Sequence, residues 1–84
     1  MEFPVYRKYR DSKTYFKIYS YEEFEEVKMM GGTYQVHHYK AEKLPDRNLI
    51  EDLIHQKDQY YESVSESEFE SFREYCRGHL QKLE

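Results

Sequence analysis

A pair of glycines between two alternating apolar segments constrains this chain more than any other feature. Glycine adopts the positive backbone angles that a two-residue turn requires, so Gly31-Gly32 predicts a hairpin over the segment from Phe24 to Ala41. The turn sets a register that gathers apolar side chains on one face and polar side chains on the other. The apolar face carries Val27, Met29, Tyr34 and Val36. The polar face carries Glu26, Lys28, Gln35 and His37.

The first arm of this hairpin also fits a helix. Ser20 and Glu23 have the spacing of a capping box, apolar residues follow at helical spacing, and Gly31 is a suitable helix terminator. That alternative leaves the matching alternation on the two sides of the glycines as a coincidence. A strand over 21–30 is therefore favoured, with a helical turn over 20–23 left open.

A second hairpin is predicted at the start of the chain. Segments 3–9 and 14–20 are rich in aromatic and β-branched residues, and a polar turn over 10–13 separates them. The register places Val5 opposite Ile18 and Arg7 opposite Phe16, on the face predicted to meet the core. Arg7 is out of place there, and we expect it to extend its charge to water past its own stem.

Two helices are predicted in the second half of the chain. Pro45 and Asp46 end the strand region and open the first helix, with Asp46 as its cap. Its apolar stripe is Leu49, Ile50, Leu53 and Ile54. Ser65 and Glu68 form a capping box for the second helix, and 60–64 is predicted to be a connection. The stripe of the second helix is Phe69, Phe72, Cys76, Leu80 and Leu83.

The predicted fold is a single small α+β domain over residues 1–84. Its antiparallel sheet has about four strands from two successive hairpins, and both C-terminal helices pack on one face. A chain of this size buries only about 60% of its unfolded surface, but ten Tyr and five Phe supply large apolar rings. The predicted core is Val5, Phe16, Ile18, Val27, Met29, Tyr34, Val36, Leu49, Ile50, Leu53, Ile54, Phe69, Phe72, Cys76 and Leu80.

Charge is distributed unevenly along the chain, although the formal net charge is only −4. Residues 1–20 contain five Lys or Arg against two acids, whereas residues 45–84 contain ten acids against five bases. The molecule is expected to be electrically two-ended. No apolar run approaches the roughly 20 residues of a membrane span, and a lone Cys76 cannot form an internal disulfide. We therefore expect a cytoplasmic protein without a membrane partner.

The sequence contains no recognisable catalytic or metal-binding motif. His37 and His38 are adjacent, but neighbours on a strand point to opposite faces and do not share one ion. Cys76 and His79 have a permissible ligand spacing, yet Cys76 lies within an apolar stripe and is predicted to be a buried thiol. Catalytic residues, a metal site and cofactors are not expected, and the chain is not expected to be an enzyme.

The outer face of the first hairpin carries the strongest functional signal. With both helices on the other face, its tyrosines stay exposed among cations. The predicted surface is Tyr6, Lys8, Arg10, Tyr15, Lys17 and Tyr19. Tyrosine is enriched at protein interfaces, so we expect this face to bind another protein or a second copy of the chain. Rings beside cations also bind single-stranded nucleic acid, which is the alternative hypothesis, although the net acidity disfavours it.

Overall fold

A computed structural model describes residues 2–42, 44–55 and 60–83, with the side chains of 44–46 outside the description. The elements in this part of the chain are β1 Val5–Tyr9, β2 Thr14–Ser20, β3 Glu23–Met30, β4 Thr33–Lys40, α1 Leu44–His55, β5 Tyr61–Ser63, α2 Glu66–His79 and β6 Gln81–Lys82. The strands form one sheet in the order β5-β1-β2-β3-β4-β6. The α+β class is confirmed, but the sheet is larger than predicted and mixed, because β6 runs parallel to β4.

Both predicted hairpins are present with their predicted registers. In the central hairpin Val27 lies opposite Val36, and the turn residue Gly31 has a φ of 60°, which only glycine adopts readily. The helical alternative over 21–30 is wrong, since β3 occupies 23–30. In the first hairpin Val5 lies opposite Ile18, as local turn chemistry predicts.

The connection between the two hairpins determines which face of the first hairpin lies on the same side of the sheet as the apolar face of the second. A register shift between Ile18 and Ser20 precedes a short turn, after which Ile18 lies opposite Phe24 and Tyr15 lies opposite Val27. The apolar face of the second hairpin therefore continues the tyrosine face of the first. We call the side of the sheet that carries Val5, Phe16, Ile18 and Phe24 face A. We call the side that carries Tyr6, Tyr15, Val27 and Tyr34 face B.

The two helices cover opposite faces of the sheet, so the prediction that both pack on one face is wrong. The physical reason is that each face has its own apolar residues, and each needs a separate cover. On face A, α1 buries Ile50, Leu53 and Ile54 against the strands. On face B, α2 buries Phe69 and Cys76.

The core is accordingly divided into two clusters. Most predicted core residues are buried or half-buried in one of them, but Met29 belongs to neither described cluster. Sequence reasoning missed four buried hydrophobic residues, namely Tyr6, Tyr15, Phe24 and Ala41. Phe24 was missed because it lies three positions from Val27 on β3 and so faces the other side of the sheet.

Arg7 is buried on face A instead of reaching water. Only 9% of its surface is exposed, and its guanidinium donates to the carbonyls of Leu53 (3.0 Å) and Ile54 (3.1 Å) in the last turn of α1. A third bond goes to the carbonyl of Tyr6 at 2.9 Å. Cations near a helix C-terminus satisfy its free carbonyls and complement its dipole. Burial lowers the pKa of Arg7 from its usual value.

The helix boundaries are partly as predicted. The helix α1 begins at Leu44, so Asp46 lies in its first turn and not at the cap position, and the side chain of Asp46 is outside the described residues. The predicted cap of α2 is confirmed, because the Ser65 hydroxyl accepts a hydrogen bond from the Glu68 amide at 3.0 Å. That helix ends at His79, before the predicted stripe residues Leu80 and Leu83.

The edge strands β5 and β6 were not predicted. They have three and two residues, too few for a recognisable alternation. Each forms only where the chain meets the edge of an existing strand. The strand β5 pairs with Arg7–Tyr9 of β1, and β6 pairs with Thr33 and Tyr34 of β4. The described helices include none long and apolar enough to cross a membrane.

Candidate interaction surface

Two of the three predicted surface tyrosines lie beneath α2. The rings of Tyr6 and Phe69 are 5.3 Å apart between centroids, and Phe72 stacks on Tyr15 at 3.9 Å. Only 8% of Tyr6 and 6% of Tyr15 is exposed. The premise that this face stays uncovered is therefore wrong, and these two rings are part of the core.

The predicted cations at the same end of face B hold α2 and β5 in place. The Nζ of Lys8 donates to Glu68 at 3.0 Å and lies 3.9 Å from Glu62. The hydrogen bond with Glu68 raises the pKa of Lys8. The Tyr15 hydroxyl is 3.3 Å from the same Glu68 oxygen, and Arg10 lies 3.9 Å from Glu62. The basic start and the acidic end of the chain are therefore packed together, which corrects the expectation of a two-ended molecule.

Lys17 and Tyr19 remain accessible where α2 ends its cover. Tyr19 is 36% exposed, and its hydroxyl donates to Glu25 at 3.1 Å. The Nζ of Lys17 lies 5.2 Å from the centre of the Tyr19 ring and 5.9 Å from that of Tyr6, within the range of a cation–π contact. The register shift in β2 falls at Tyr19 and orients its ring.

A row of polar residues crosses three strands beside Tyr19. Lys17 lies opposite Glu25, and Glu25 lies opposite His38. The Glu25 carboxylate is 3.8 Å from Arg73 of α2, and 8% of the residue is exposed. Burial and then the neighbouring Glu25 raise the pKa of Tyr19. These contacts hold the side chains in place within the folded chain.

His38 completes this polar area on β4. Its Nε2 lies 2.6 Å from Glu23, and its ring meets that of Tyr19 edge-on at 5.8 Å. We call this area the open half of face B. It consists of Lys17, Tyr19, Glu23, Glu25 and His38. Sequence reasoning missed the two acids and the histidine because they belong to a different hairpin from Lys17 and Tyr19.

The open half continues into a free stretch of the β4 edge. The pairing of β6 with β4 covers Thr33 and Tyr34, with the Tyr34 carbonyl accepting from Leu83 at 2.8 Å. Alternate residues of a strand point their backbone groups to the same side, so Val36 and His38 also point theirs to this edge. Within the described ranges no strand pairs with this edge beyond Tyr34.

A shallow depression of about 290 Å³ lies beyond the end of β4. Its lining residues are Ser20, Glu22, Glu23, Lys40, Ala41, Glu42 and Arg47. Arg47 is already engaged, since its Nε donates to the Ala41 carbonyl at 3.1 Å and its Nη2 lies 3.9 Å from Glu22. The depression shares Glu23 with the open half and extends the polar area around the corner of the sheet.

His37, His38 and Cys76 are placed as the sequence predicts. His37 and His38 pair with consecutive residues of β3 and so lie on opposite faces. Cys76 is fully buried, and burial raises the pKa of its thiol. The ring of His79, which has a ligand-like spacing from Cys76 in the sequence, lies beside the ring of Tyr75, with 4.9 Å between the centroids. The prediction of a buried Cys76 is confirmed.

The open half of face B and the adjoining edge of β4 thus form one continuous surface of fixed side chains and free backbone groups. No family model, curated protein or solved structure matches this chain, so its geometry alone bears on function.

Proposed function

We propose that this chain is a non-enzymatic interaction module that binds another protein or a second copy through the open half of face B and the β4 edge. One observation carries the proposal. An exposed tyrosine, a set of fixed charges and a row of free backbone groups meet at a single corner of the sheet. Of the predicted surface, Lys17 and Tyr19 belong to this corner.

The chemistry of the corner suits a protein partner. The Tyr19 ring offers apolar area while its hydroxyl stays hydrogen-bonded to Glu25. Side chains already held by neighbours lose little freedom on binding, which lowers the entropic cost of association. A free strand edge supplies main-chain hydrogen bonds to a partner strand, and the side chains beside it supply selectivity.

The nucleic-acid alternative has less support from this geometry. Binding of single strands needs several exposed rings along a cationic groove. Tyr6 and Tyr15 are covered by α2, and the remaining Tyr19 stands beside Glu23 and Glu25, which repel phosphates.

Affinity capture with matched tyrosine variants tests the proposed function. A tagged chain is used to capture binding partners from the source cell, and Tyr19→Ala is compared with Tyr60→Ala, which alters a more exposed ring near β5. We expect Tyr19→Ala to lose a bound protein, or an untagged copy of the chain, that Tyr60→Ala retains. Equal capture by both variants would contradict the proposal. Salt-sensitive binding of a mixed-sequence oligonucleotide that Tyr19→Ala abolishes would favour the nucleic-acid alternative instead.

A further inference from the structure

We infer that the partner at the β4 edge is a second copy of the chain, which pairs its own β4 antiparallel to the first around a two-fold axis at His38. The inference rests on the proposed function and names its partner. It joins two six-stranded sheets into one continuous sheet.

The free backbone groups of the edge match themselves under this symmetry. Val36 and His38 each present an amide and a carbonyl, and Lys40 presents its amide, while its carbonyl already accepts from Glu42 at 3.0 Å. Antiparallel pairing around His38 places Val36 of one copy opposite Lys40 of the other. Both groups of His38, the Val36 carbonyl and the Lys40 amide of each copy then gain a partner, and the Val36 amide shares the Lys40 carbonyl of the other copy with Glu42, because a carbonyl oxygen has two lone pairs.

The side chains beside the edge are also compatible with self-pairing. On face B the Lys40 stem of one copy covers Val36 of the other, with its charge free to reach water. The two His38 rings meet at the axis, and each already lies 2.6 Å from its own Glu23. On face A, His37 of one copy lies opposite Tyr39 of the other, and such ring pairs stabilise adjacent strands.

The polar row of face B continues across this pairing. The row of Lys17, Glu25 and His38 in one copy continues into His38, Glu25 and Lys17 of the second. Glu23 lies 2.6 Å from the Nε2 of His38, and Glu25 lies opposite His38, so carboxylates flank each imidazole at the axis. The open halves of the two copies join into one surface to which both contribute residues.

A second copy fits the edge better than an unrelated peptide because it presents the same free length with the same spacing. Isologous contacts of this kind close after two subunits, so the edge is protected without further growth of the sheet. The free stretch is bounded by β6 at one end and by the departure of the chain towards α1 at the other, and this limits the pairing to Val36–Lys40.

Sedimentation equilibrium of the full chain over a concentration series tests the inference. We expect the mass to rise to about 21 kDa, twice the 10.5 kDa of the chain. Val36→Lys places a lysine opposite Lys40 of the other copy, and the mass should fall to that of the monomer. Combining Val36→Lys with Lys40→Glu restores an attractive pair in the same register and should restore the dimer.

His38→Pro provides a second variant that removes the amide, and His38→Ala, which removes the same imidazole but keeps the amide, is its matched control and should remain dimeric. His38→Pro removes an outward amide that β3 does not use, and proline is tolerated where the amide of an edge strand faces solvent. We expect a folded monomer by circular dichroism and sedimentation. The control Tyr60→Lys alters an exposed residue near the other edge of the sheet and should remain dimeric.

The outcomes separate the inference from the proposed function. A strict monomer at every concentration would overturn the inference, whereas a foreign partner lost on Tyr19→Ala would leave the proposed function intact. A dimer that survives both Val36→Lys and His38→Pro would also overturn the β4 pairing. If the wild type is a monomer and capture by Tyr19→Ala is unchanged, both are wrong.

Discussion

The two faces of the sheet are covered in different ways. Face A is sealed by aliphatic and phenylalanine side chains, and Phe16, Ile18, Ile50 and Leu53 have no exposed surface. Face B is packed by tyrosines that keep a few per cent exposed and whose hydroxyls lie near carboxylates. The cover of face A reaches Phe24 and Tyr39 and leaves Lys28 and His37 exposed, whereas α2 leaves the corner around Tyr19 open on face B. A tyrosine-rich face can therefore serve as core at one end and as surface at the other.

The helices are also attached by different chemistry. A buried cation, Arg7, holds the C-terminal end of α1 through two hydrogen bonds to the carbonyls of Leu53 and Ile54. Stacked rings and the ion pair of Lys8 with Glu68 hold α2. The Arg7 cation on face A is thus paired with backbone carbonyls, and the Lys8 cation on face B is paired with a carboxylate. This difference predicts unequal responses of the two faces to substitution, salt and pH.

The largest expected effect is the loss of a central ring on either face. Phe16→Ala on face A and Phe69→Ala on face B should each lower the free energy of unfolding by about 3–5 kcal/mol, since both rings are fully buried. Denaturant melts measure both. Near-equal losses would show that α2 is as integral to the fold as α1, whereas a loss below about 1 kcal/mol for Phe69→Ala would show that α2 is not firmly docked.

The next effect is specific to face A. Arg7→Met keeps an apolar stem but leaves the α1 carbonyls without their donor, at an expected cost of about 1–3 kcal/mol. Arg10→Met is the matched control, because the Arg10 side chain is 60% exposed, and it should change stability by less than about 0.5 kcal/mol. Equal melting midpoints for the two variants would contradict the capping role of Arg7.

A smaller effect is expected on face B. A double-mutant cycle with Lys8→Met and Glu68→Gln should give a coupling energy of about 0.2–1 kcal/mol, because Glu68 is half exposed to solvent. The coupling should shrink when salt is added. A coupling that salt does not change would indicate that packing, not charge, joins these side chains.

The smallest effect at neutral pH concerns Tyr9 on face A. Burial, together with the stacked Tyr61, raises the pKa of Tyr9 from 10.0 to about 12. A raised pKa favours the neutral phenol in the folded state, so this stabilisation is fully present below pH 10 and is lost as pH rises towards 12. Absorbance titration should show at least one phenol ionising well above pH 10, with unfolding in the same range. Simultaneous ionisation of all tyrosines in a folded chain would contradict this.

The features that local chemistry determines could be predicted from the sequence. The Gly31-Gly32 turn fixed the register of β3 and β4, and the capping box of Ser65 and Glu68 fixed the start of α2. In each case the residues that decide the structure lie within a few positions of one another. The same is true of the apolar stripe of α1, whose Ile50 and Leu53 are fully buried.

The features that depend on how these pieces meet could not be predicted. The relative orientation of the hairpins depends on the irregular step at Tyr19, which no turn signature marks. Two signals were nevertheless available. Phe24 and Val27 lie an odd number of positions apart, which requires apolar contacts on both faces. The acids of α2 match the cations of the first hairpin, which favours the packing that buries Tyr6 and Tyr15.

The candidate surface was predicted only in part for the same reason. Lys17 and Tyr19 lie on the predicted strand and remain accessible. Glu25 and His38 are neighbours within the second hairpin, but they lie beside Lys17 and Tyr19 only because β3 pairs with β2. Lys17, Glu25 and His38 are far apart in the sequence, so the row that they form across three strands could not be recognised before the sheet was known.

The placement of α2 over the tyrosines of face B is the central claim of this account, and nuclear Overhauser contacts between aromatic rings test it most directly. We predict strong contacts of Phe72 with Tyr15 and of Phe69 with Tyr6, whose ring centroids lie 3.9 and 5.3 Å apart. Phe16 should contact Tyr9 and Phe24, on the other side of the sheet, and neither Phe69 nor Phe72. Contacts of Phe69 or Phe72 with Phe16 would place both helices on face A and contradict the account.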